Sequence, residues 1–339
     1  MRTIETLAEL RHQVTSARAR GERIGFVPTM GALHAGHAAL VRVAHAQCDL
    51  VIVSAYVNPL QFGPSEDFAE YPRTPEHDAR IAGDAGADLL WRPTQEELAP
   101  AGSTITIDPG PLGRVLEGAE RPGHFIGVAT IVARLVGAVR PDAMYLGEKD
   151  WQQLVIVQRL VDELFLPVEV RAVATVRDAD GLALSSRNTY LSADEREAAL
   201  AIPAALTAAS DAAIGGERSV GRLRAKVEVA LATVNDLQVG YVEIVDAATL
   251  EPLDALDHTA RLLVSARVGT TRLIDNVELA AVPAHAAAPT TEKTQGLPGA
   301  GGSTDSTHDD AADRGSAPEE FRDELFDTQP TSSTRGPWQ

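Results

Sequence analysis

RIGFVPTMGALHAGHAALVRVAHAQCDLVIVSAYV, residues 23–57, carries one strand, one turn, one helix and a second strand in unbroken succession. Arg23–Val27 is a short apolar run that stops at Pro28. Ala35–Cys48 repeats its apolar residues at helical spacing, and Leu50–Val57 is rich in valine and isoleucine. Two continuous apolar strands joined by a crossover helix make a parallel pair, buried on both faces and wound right-handed. Outward from this unit, further strands are expected at Asp88–Trp91, Thr104–Ile107, Asp142–Leu146 and Val168–Val173. Helices are expected at Pro75–Ala85, Gly123–Val139 and Asp150–Leu164, the first opened by a Thr74 N-cap with proline at the first helical position. Residues 1–176 therefore predict an α/β domain with a doubly wound, Rossmann-like parallel sheet.

Beyond Arg187 the texture changes. Two Ala-rich helical stretches, Ala193–Ala213 and Val220–Leu237, precede short strands at Tyr241–Val245, Arg261–Val268 and Thr271–Glu278. Residues 177–283 predict a second, smaller α+β domain. Residues 284–339 lose all periodicity, and their Ala, Pro, Gly, Ser, Thr and Asp bury little surface, so this acidic tail is expected to be disordered. Within it Phe321 and Leu325 stand four apart among acids, a pattern that could form a short helix on a partner.

The chain has 339 residues, 44% of them hydrophobic, enough for a substantial core, and a formal charge of −18. That acidity repels nucleic-acid backbones and anionic lipid, so nucleic-acid and membrane partners are not expected, and any anionic ligand needs a local site. Met1–Leu10 lacks the pattern of a secretory signal, and no run of 18 apolar residues occurs. The single cysteine, Cys48, excludes an intramolecular disulfide and a cysteine-cluster metal site, and is expected to be a buried, inert thiol. A cytoplasmic protein is the simplest reading.

Three segments carry chemistry. Pro28–His37 follows the first strand and runs into the first helix, which puts it at the carboxyl end of a strand, where open α/β sheets bind ligands. His34 and His37 share a face of that helix beside the unpaired N–H groups of its first turn, a place that attracts phosphate, while Gly31 and Gly36 allow close backbone approach. Alternatively this is an ordinary strand-to-helix turn with two incidental histidines. Gly147-Glu148-Lys149-Asp150 again lies between a strand and a helix, as a phosphate-reaching lysine beside a possible cap, or simply a charged cap. Leu184-Ser185-Ser186-Arg187-Asn188 offers two hydroxyls and a guanidinium, an anion clamp or a common polar loop. In a doubly wound sheet all three segments share one rim.

In order and type these segments resemble the two signatures of the HIGH superfamily of nucleotidyltransferases, a His-x-Gly-His element and a later Ser-rich cationic loop. Pro28–His37, Val57–Phe62, Leu116–Gly118 with Arg121–Val128, Gly147–Gln153 and Asp180–Asn188 together resemble the pantothenate synthetase (pantoate-β-alanine ligase) family, over about residues 1–283. The chain departs from that pattern at Ala35, where the family commonly has Glu.

The resemblance implies an AMP-forming acid–amine ligase that uses ATP to make pantoyl adenylate and then lets β-alanine displace AMP. It implies ATP contacts at Met30, Gly31, Ala32, Leu33, His34, Ala35, Gly36, His37, Gly147, Glu148, Lys149, Asp150, Val176, Leu184, Ser185, Ser186 and Arg187. His34, His37, Lys149 and Arg187 would be catalytic, with His37 a proton donor or an imidazolium that stabilises charge. Gln61 and Gln153 would hold pantoate, and Gln61 also β-alanine, with Asn58 and His124 bordering the pocket; without the resemblance, the residues alone favour surface amides for both glutamines. Mg²⁺ would arrive with ATP; its protein ligands are unknown, Asp78 and Asp150 being candidates. No prosthetic group is implied, and the family is usually a homodimer. Two rivals remain: a cofactor-forming adenylyl- or cytidylyltransferase, which needs neither glutamine, and a nucleotide-sensing scaffold that has lost catalysis.

Overall fold

The computed structural model describes residues 1–64 and 66–280. Its first part alternates β1 (Arg2–Ile4), α1 (Leu7–Ala19), β2 (Ile24–Thr29), α2 (Ala35–His45), β3 (Leu50–Ala55), α3 (Pro75–Asp84), β4 (Leu89–Trp91), α4 (Gln95–Leu98), α5 (Glu117–Glu120), α6 (His124–Val139), β5 (Ala143–Gly147), α7 (Trp151–Glu163) and β6 (Glu169–Val173). The six strands form one sheet in the order β1-β4-β3-β2-β5-β6, every pair parallel. Helices cover both faces, which is why Ile24, Phe26, Val27, Val51, Ile52 and Val53 are all fully buried. Strand order reverses between β2 and β5, where Phe26 lies between Ile52 and Met144. At such a reversal the connections leave in opposite directions and open a crevice at the strands' carboxyl ends. Pro28–His37 and Gly147–Asp150 both lie there.

Five of the six expected strands are present, and the sheet takes a different sixth. Thr104–Ile107 is not a strand: Arg134 Nη2 donates to Ile105 O (3.0 Å) and Ile107 N to Thr130 Oγ1 (2.9 Å), so the segment lies against α6 and pairs with no strand. The sixth is β1, three residues long with only Ile4 buried, beside β4. Helix α1 follows, started by a capping box between Thr6 and Glu9. Thr74 precedes α3 with proline in its first turn as expected, but its hydroxyl makes no cap; it donates to Asp78 Oδ1 (2.9 Å).

The second part holds α8 (Ala193–Ala199), α9 (Ala201–Ile214), α10 (Val220–Ala232) and an antiparallel meander of β7 (Leu237–Asp246), β8 (Ala260–Val268) and β9 (Thr271–Leu279). Its own hydrophobic cluster joins Ile202, Leu206, Leu223 and Leu231 to Ile244, Leu262 and Val264. The 22 residues Ala193–Ile214, at mean hydropathy 1.3, are long and apolar enough by composition to cross a membrane. Here they form α8 and α9, with Ala199, Ile202, Leu206 and Ala209 buried in that cluster. Cys48 is half-buried, its Sγ 3.3 Å from the Tyr145 hydroxyl. The expectations for residues 284–339, including Phe321 and Leu325, lie outside the described residues.

Candidate active site

The loop after β2 is tied down before it reaches α2. Thr29 Oγ1 accepts from Gly31 N (3.1 Å), and the buried Asp78 carboxylate accepts from Ala32 N (3.1 Å), Leu33 N (2.8 Å) and the Thr74 hydroxyl. These bonds consume the Asp78 oxygens and the N–H groups of Gly31, Ala32 and Leu33, and none of the three loop residues borders the cleft described below. Asp78 is therefore a loop anchor, and of the two magnesium candidates only Asp150 faces the cleft.

Helix α2 is capped by its histidines. His34 Nδ1 accepts from Gly36 N (3.1 Å), and His37 Nδ1 accepts from His34 N (3.3 Å). An imidazole nitrogen that accepts carries no proton, so each ring is neutral with its proton on Nε2. Electrostatics agree: burial pushes His34 down to about 4 with help from the Lys149 charge, and burial pushes His37 down to about 3. In the free protein the fold holds both rings neutral, as N–H donors. The ring centroids are 4.1 Å apart. A Cβ on Gly36 would stand 2.8 Å from His34 Cε1 and 2.9 Å from Nδ1, so only glycine lets the ring lie over the helix start. Ala35 is exposed, and the two histidines close the turn without a polar group at that position.

A cleft of about 1280 Å³, counted to its open mouth, runs along the strand ends. Met30, His34, Gly36, His37, Gly147, Lys149, Asp150, Val176, Leu184, Ser185, Ser186, Arg187, Gln61 and Gln153 all border it. The structure thus unites three segments distant in sequence. Glu148 is turned away: Arg261 Nη2 donates to its carboxylate at 2.9 Å. Lys149 Nζ stands 3.4 Å from Asp150 Oδ1. The protein atoms crowding Asp150 oppose its ionisation although its side chain is 49% exposed, yet Lys149 and Arg187 hold its carboxyl below the usual range.

One flank is built for a small polar ligand. Gln61 Oε1 accepts from Asn58 Nδ2 (3.0 Å), its Nε2 points to Met30 Sδ (3.0 Å), and its backbone carbonyl accepts from His124 Nδ1 (2.8 Å). Gln61 is not a surface amide: it is 9% exposed, and its partner Asn58 1%. The two adjacent glutamines of α7 part company. Gln152 is buried and locks the 112–117 loop through Leu112 O, Val115 O and Glu117 N, whereas Gln153 makes no hydrogen bond among the described residues and borders the cleft. Val128, Ile131, Val132, Leu135 and Leu146 supply the same cleft with an apolar wall.

The segment after Phe62 adds residues that no motif points to. Asp67 accepts from Arg187 Nη2 (3.1 Å), and Tyr71, 4% exposed, holds its hydroxyl 3.3 Å from Ser186 Oγ. Glu66 grips Arg121 through two bonds of 2.7 and 2.8 Å. Burial alone would raise the Glu66 pKa, but those bonds bring it down to about 2. The clustered Tyr71-Pro72-Arg73-Thr74-Pro75 marks a fixed turn in the sequence but says nothing of its partners.

The histidines give a signed pH dependence. Their native pKa values lie below the ordinary histidine value near 6.5, so between about pH 6.5 and 4 the unfolded chain binds protons the native chain refuses, and stability falls as pH falls. His37→Asn keeps an acceptor near the Nδ1 position and removes one such group. Its stability should fall less steeply over that window, by up to about 1.4 kcal/mol per pH unit. Melting curves from pH 7 to 4.5 decide; equal slopes would show that His37 is not held neutral by the fold.

Comparison with known proteins places this geometry. Residues 2–278 match the sequence pattern described as pantoate-beta-alanine ligase. The chain is 47% identical over 279 residues to a pantothenate synthetase of Moorella thermoacetica, covering 82% of this chain and 99% of that protein. It is 46% identical over 284 residues to pantothenate synthetase 1 of Bradyrhizobium diazoefficiens, covering 84% and 100%. Among solved structures, pantothenate synthetase from Thermus thermophilus superposes with a TM-score of 0.79 at 47% identity, covering 83% of this chain and all of that one. A pantoate-beta-alanine ligase from Francisella tularensis, solved with beta-gamma ATP and beta-alanine, gives 0.66 at 31% identity, covering 82% and 97%.

Proposed function

The chain belongs to the pantoate-β-alanine ligase family, and from that premise we propose how the cleft performs the reaction. The reaction is the ATP-dependent condensation of (R)-pantoate with β-alanine to pantothenate, AMP and pyrophosphate, through an enzyme-bound pantoyl adenylate. In the first step a pantoate carboxylate oxygen bonds to the α-phosphorus of ATP while the bond to pyrophosphate breaks. In the second the amine of β-alanine bonds to the acyl carbon, AMP leaves with the electron pair of the C–O bond, and the amine loses its proton as the amide forms.

Charge builds on the phosphoryl oxygens in the first step, so the site needs donors already aimed there. The convergence of His34, His37, Lys149, Ser185, Ser186 and Arg187 on one cleft is the observation that carries this reading. The neutral Nε2–H groups of His34 and His37 donate to phosphate oxygens, a role that fits their state better than that of a charged acid. Lys149 and Arg187 supply the positive charge. Adenine lies toward Val176 and Leu184, whose backbone is fixed by a 3.0 Å bond from Leu184 N to Val176 O. Gln61 and Gln153 take the hydroxyls and carboxylate of pantoate, and the apolar wall takes its two methyl groups; Gln61 also meets β-alanine. The cofactor-forming rival uses neither glutamine.

Mg²⁺ enters with ATP as part of the substrate. Among the described residues no three His, Cys, Asp or Glu are grouped to hold a metal; the ion would be held by the phosphates, and Asp150 is the acidic side chain that borders the cleft. Residues 1–176 supply most of the substrate contacts and the 184–187 loop of the second part supplies the rest, in a homodimer working in the cytoplasm.

The test is ATP–pyrophosphate exchange with pure protein. Exchange should require pantoate and Mg²⁺ and proceed without β-alanine. Equal exchange with other hydroxy acids, or none with pantoate, overturns the assignment.

A further inference from the structure

The turn that carries Lys149 does not hold itself in place. Glu148–Asp150 is a single 3-10 turn between β5 and α7, without a side-chain cap at either junction. Two of its carbonyls are satisfied from the second sheet: Asn276 Nδ2, on β9, donates to Glu148 O (3.0 Å) and to Lys149 O (2.9 Å). Two hydrogens on one nitrogen aimed at two successive carbonyls is a task for an amide; a carboxylate of the same shape would face both oxygens with an acceptor. Asn276 is 5% exposed, so water does not replace it easily.

Its surroundings fix it in turn. Asn276 N donates to Asp275 Oδ1 (2.8 Å), and buried Asp275 is gripped by Arg177 at 2.6 and 3.0 Å. On β8, Arg261 stacks 3.5 Å above the Trp151 ring and pairs with Glu148, bracketing the same turn. Trp151 Nε1 donates to Ala247 O (3.0 Å). The second sheet thus grips the turn at Glu148, Lys149 and Trp151.

We propose that Asn276 is a positioning residue for Lys149, seating the turn from which the ammonium reaches the α-phosphoryl group. This deepens the reading above and rests on it for the identity of the phosphate. An electrostatic donor works only where charge develops, and displacements near 1 Å cost about 10²-fold in rate. Asn276 acts through Lys149, so its effect vanishes when Lys149 has no ammonium.

The experiment is a double-mutant cycle on the full chain. Asn276→Ala and Asn276→Asp are each made with Lys149 intact and in the Lys149→Ala background; the alanine variant answers should the aspartate fail to fold. Two readouts are taken: pantoate-dependent exchange, and calorimetric affinity for a non-hydrolysable ATP analogue. With Lys149 intact, either change should lower the exchange kcat about 10²-fold and leave KM for pantoate within about threefold. In the Lys149→Ala background the same change should cost less than about threefold, and the affinities should show the same coupling. Equal losses in both backgrounds, or unchanged kcat and affinity with a lowered melting temperature, would overturn the proposal. Were the unaltered protein to show no exchange, the assigned reaction would fall, and the affinity cycle alone would decide: coupled losses sustain the role of Asn276, additive ones end it.

Discussion

Lys149→Ala is expected to lower pantoate-dependent exchange by two to three orders of magnitude, about 3–4 kcal/mol of transition-state stabilisation, while the protein stays folded. The large catalytic effect and small structural one have separate causes. The Lys149 side chain is 20% exposed and borders the cleft with His34, His37 and Ser185, where, in the proposed reaction, its ammonium would meet the charge on the α-phosphoryl group. Among the described residues its ion pair is with Asp150 at 3.4 Å, a carboxylate 49% exposed. A pair that open to water contributes less than about 1 kcal/mol, so the melting temperature should move by no more than about 3 °C. His34 and His37 also feel the Lys149 charge, which adds to the burial that keeps them neutral. Exchange near the unaltered rate would remove Lys149 from the reaction. A collapse of stability would move it into the scaffold.

How much of this site is legible in the sequence divides along physical lines. Segments at strand ends are legible because a parallel sheet fixes where its loops emerge; Pro28–His37 and Gly147–Asp150 need only the strand–helix rhythm around them. The protonation state of the histidines is not legible, since it depends on Nδ1 accepting from Gly36 and His34 and on burial that only the packed loop creates. Gln152 and Gln153 are chemically identical neighbours, and only the placement of the 112–117 loop separates a structural amide from a cleft amide. The second sheet shows the same limit. β8 and β9 read as strands from their apolar pattern, but nothing in Arg261 or Asn276 announces a hold on a turn more than a hundred residues away. Thr104–Ile107 fails in the opposite sense: its β-branched pattern is real, but it joins neither edge of the sheet, and side chains of α6 take its backbone bonds. β1 escapes a reading by pattern because its single buried residue, Ile4, gives almost no periodic signal.

Two glycines of α6 should respond with opposite signs to the same added methyl group. A Cβ on Gly127 would lie 2.1 Å from Leu60 O, 2.3 Å from Leu60 C and 2.6 Å from Gln61 N. These are backbone atoms and cannot rotate away, so α6 and the Pro59–Gln61 turn must separate. That separation strains the Asn58 bond to Gly127 O (3.2 Å), and with it the Asn58 and His124 bonds that aim Gln61. Gly127→Ala should therefore cost about 3 kcal/mol by overpacking, lower the melting temperature by about 5 °C or more, and raise KM for pantoate at least about tenfold. Gly137, one face and nearly three turns further along, meets nothing within 4 Å and is exposed. Gly137→Ala adds only helix propensity and should stabilise by about 0.5–1 kcal/mol, with KM unchanged. Melting curves and pantoate titrations of both variants separate the effects, because propensity is common to the two substitutions and contact with the Gln61 turn is not. Should Gly127→Ala bind pantoate normally, the close approach of α6 would not be what sets Gln61, and the glutamine would lose its place in the substrate pocket.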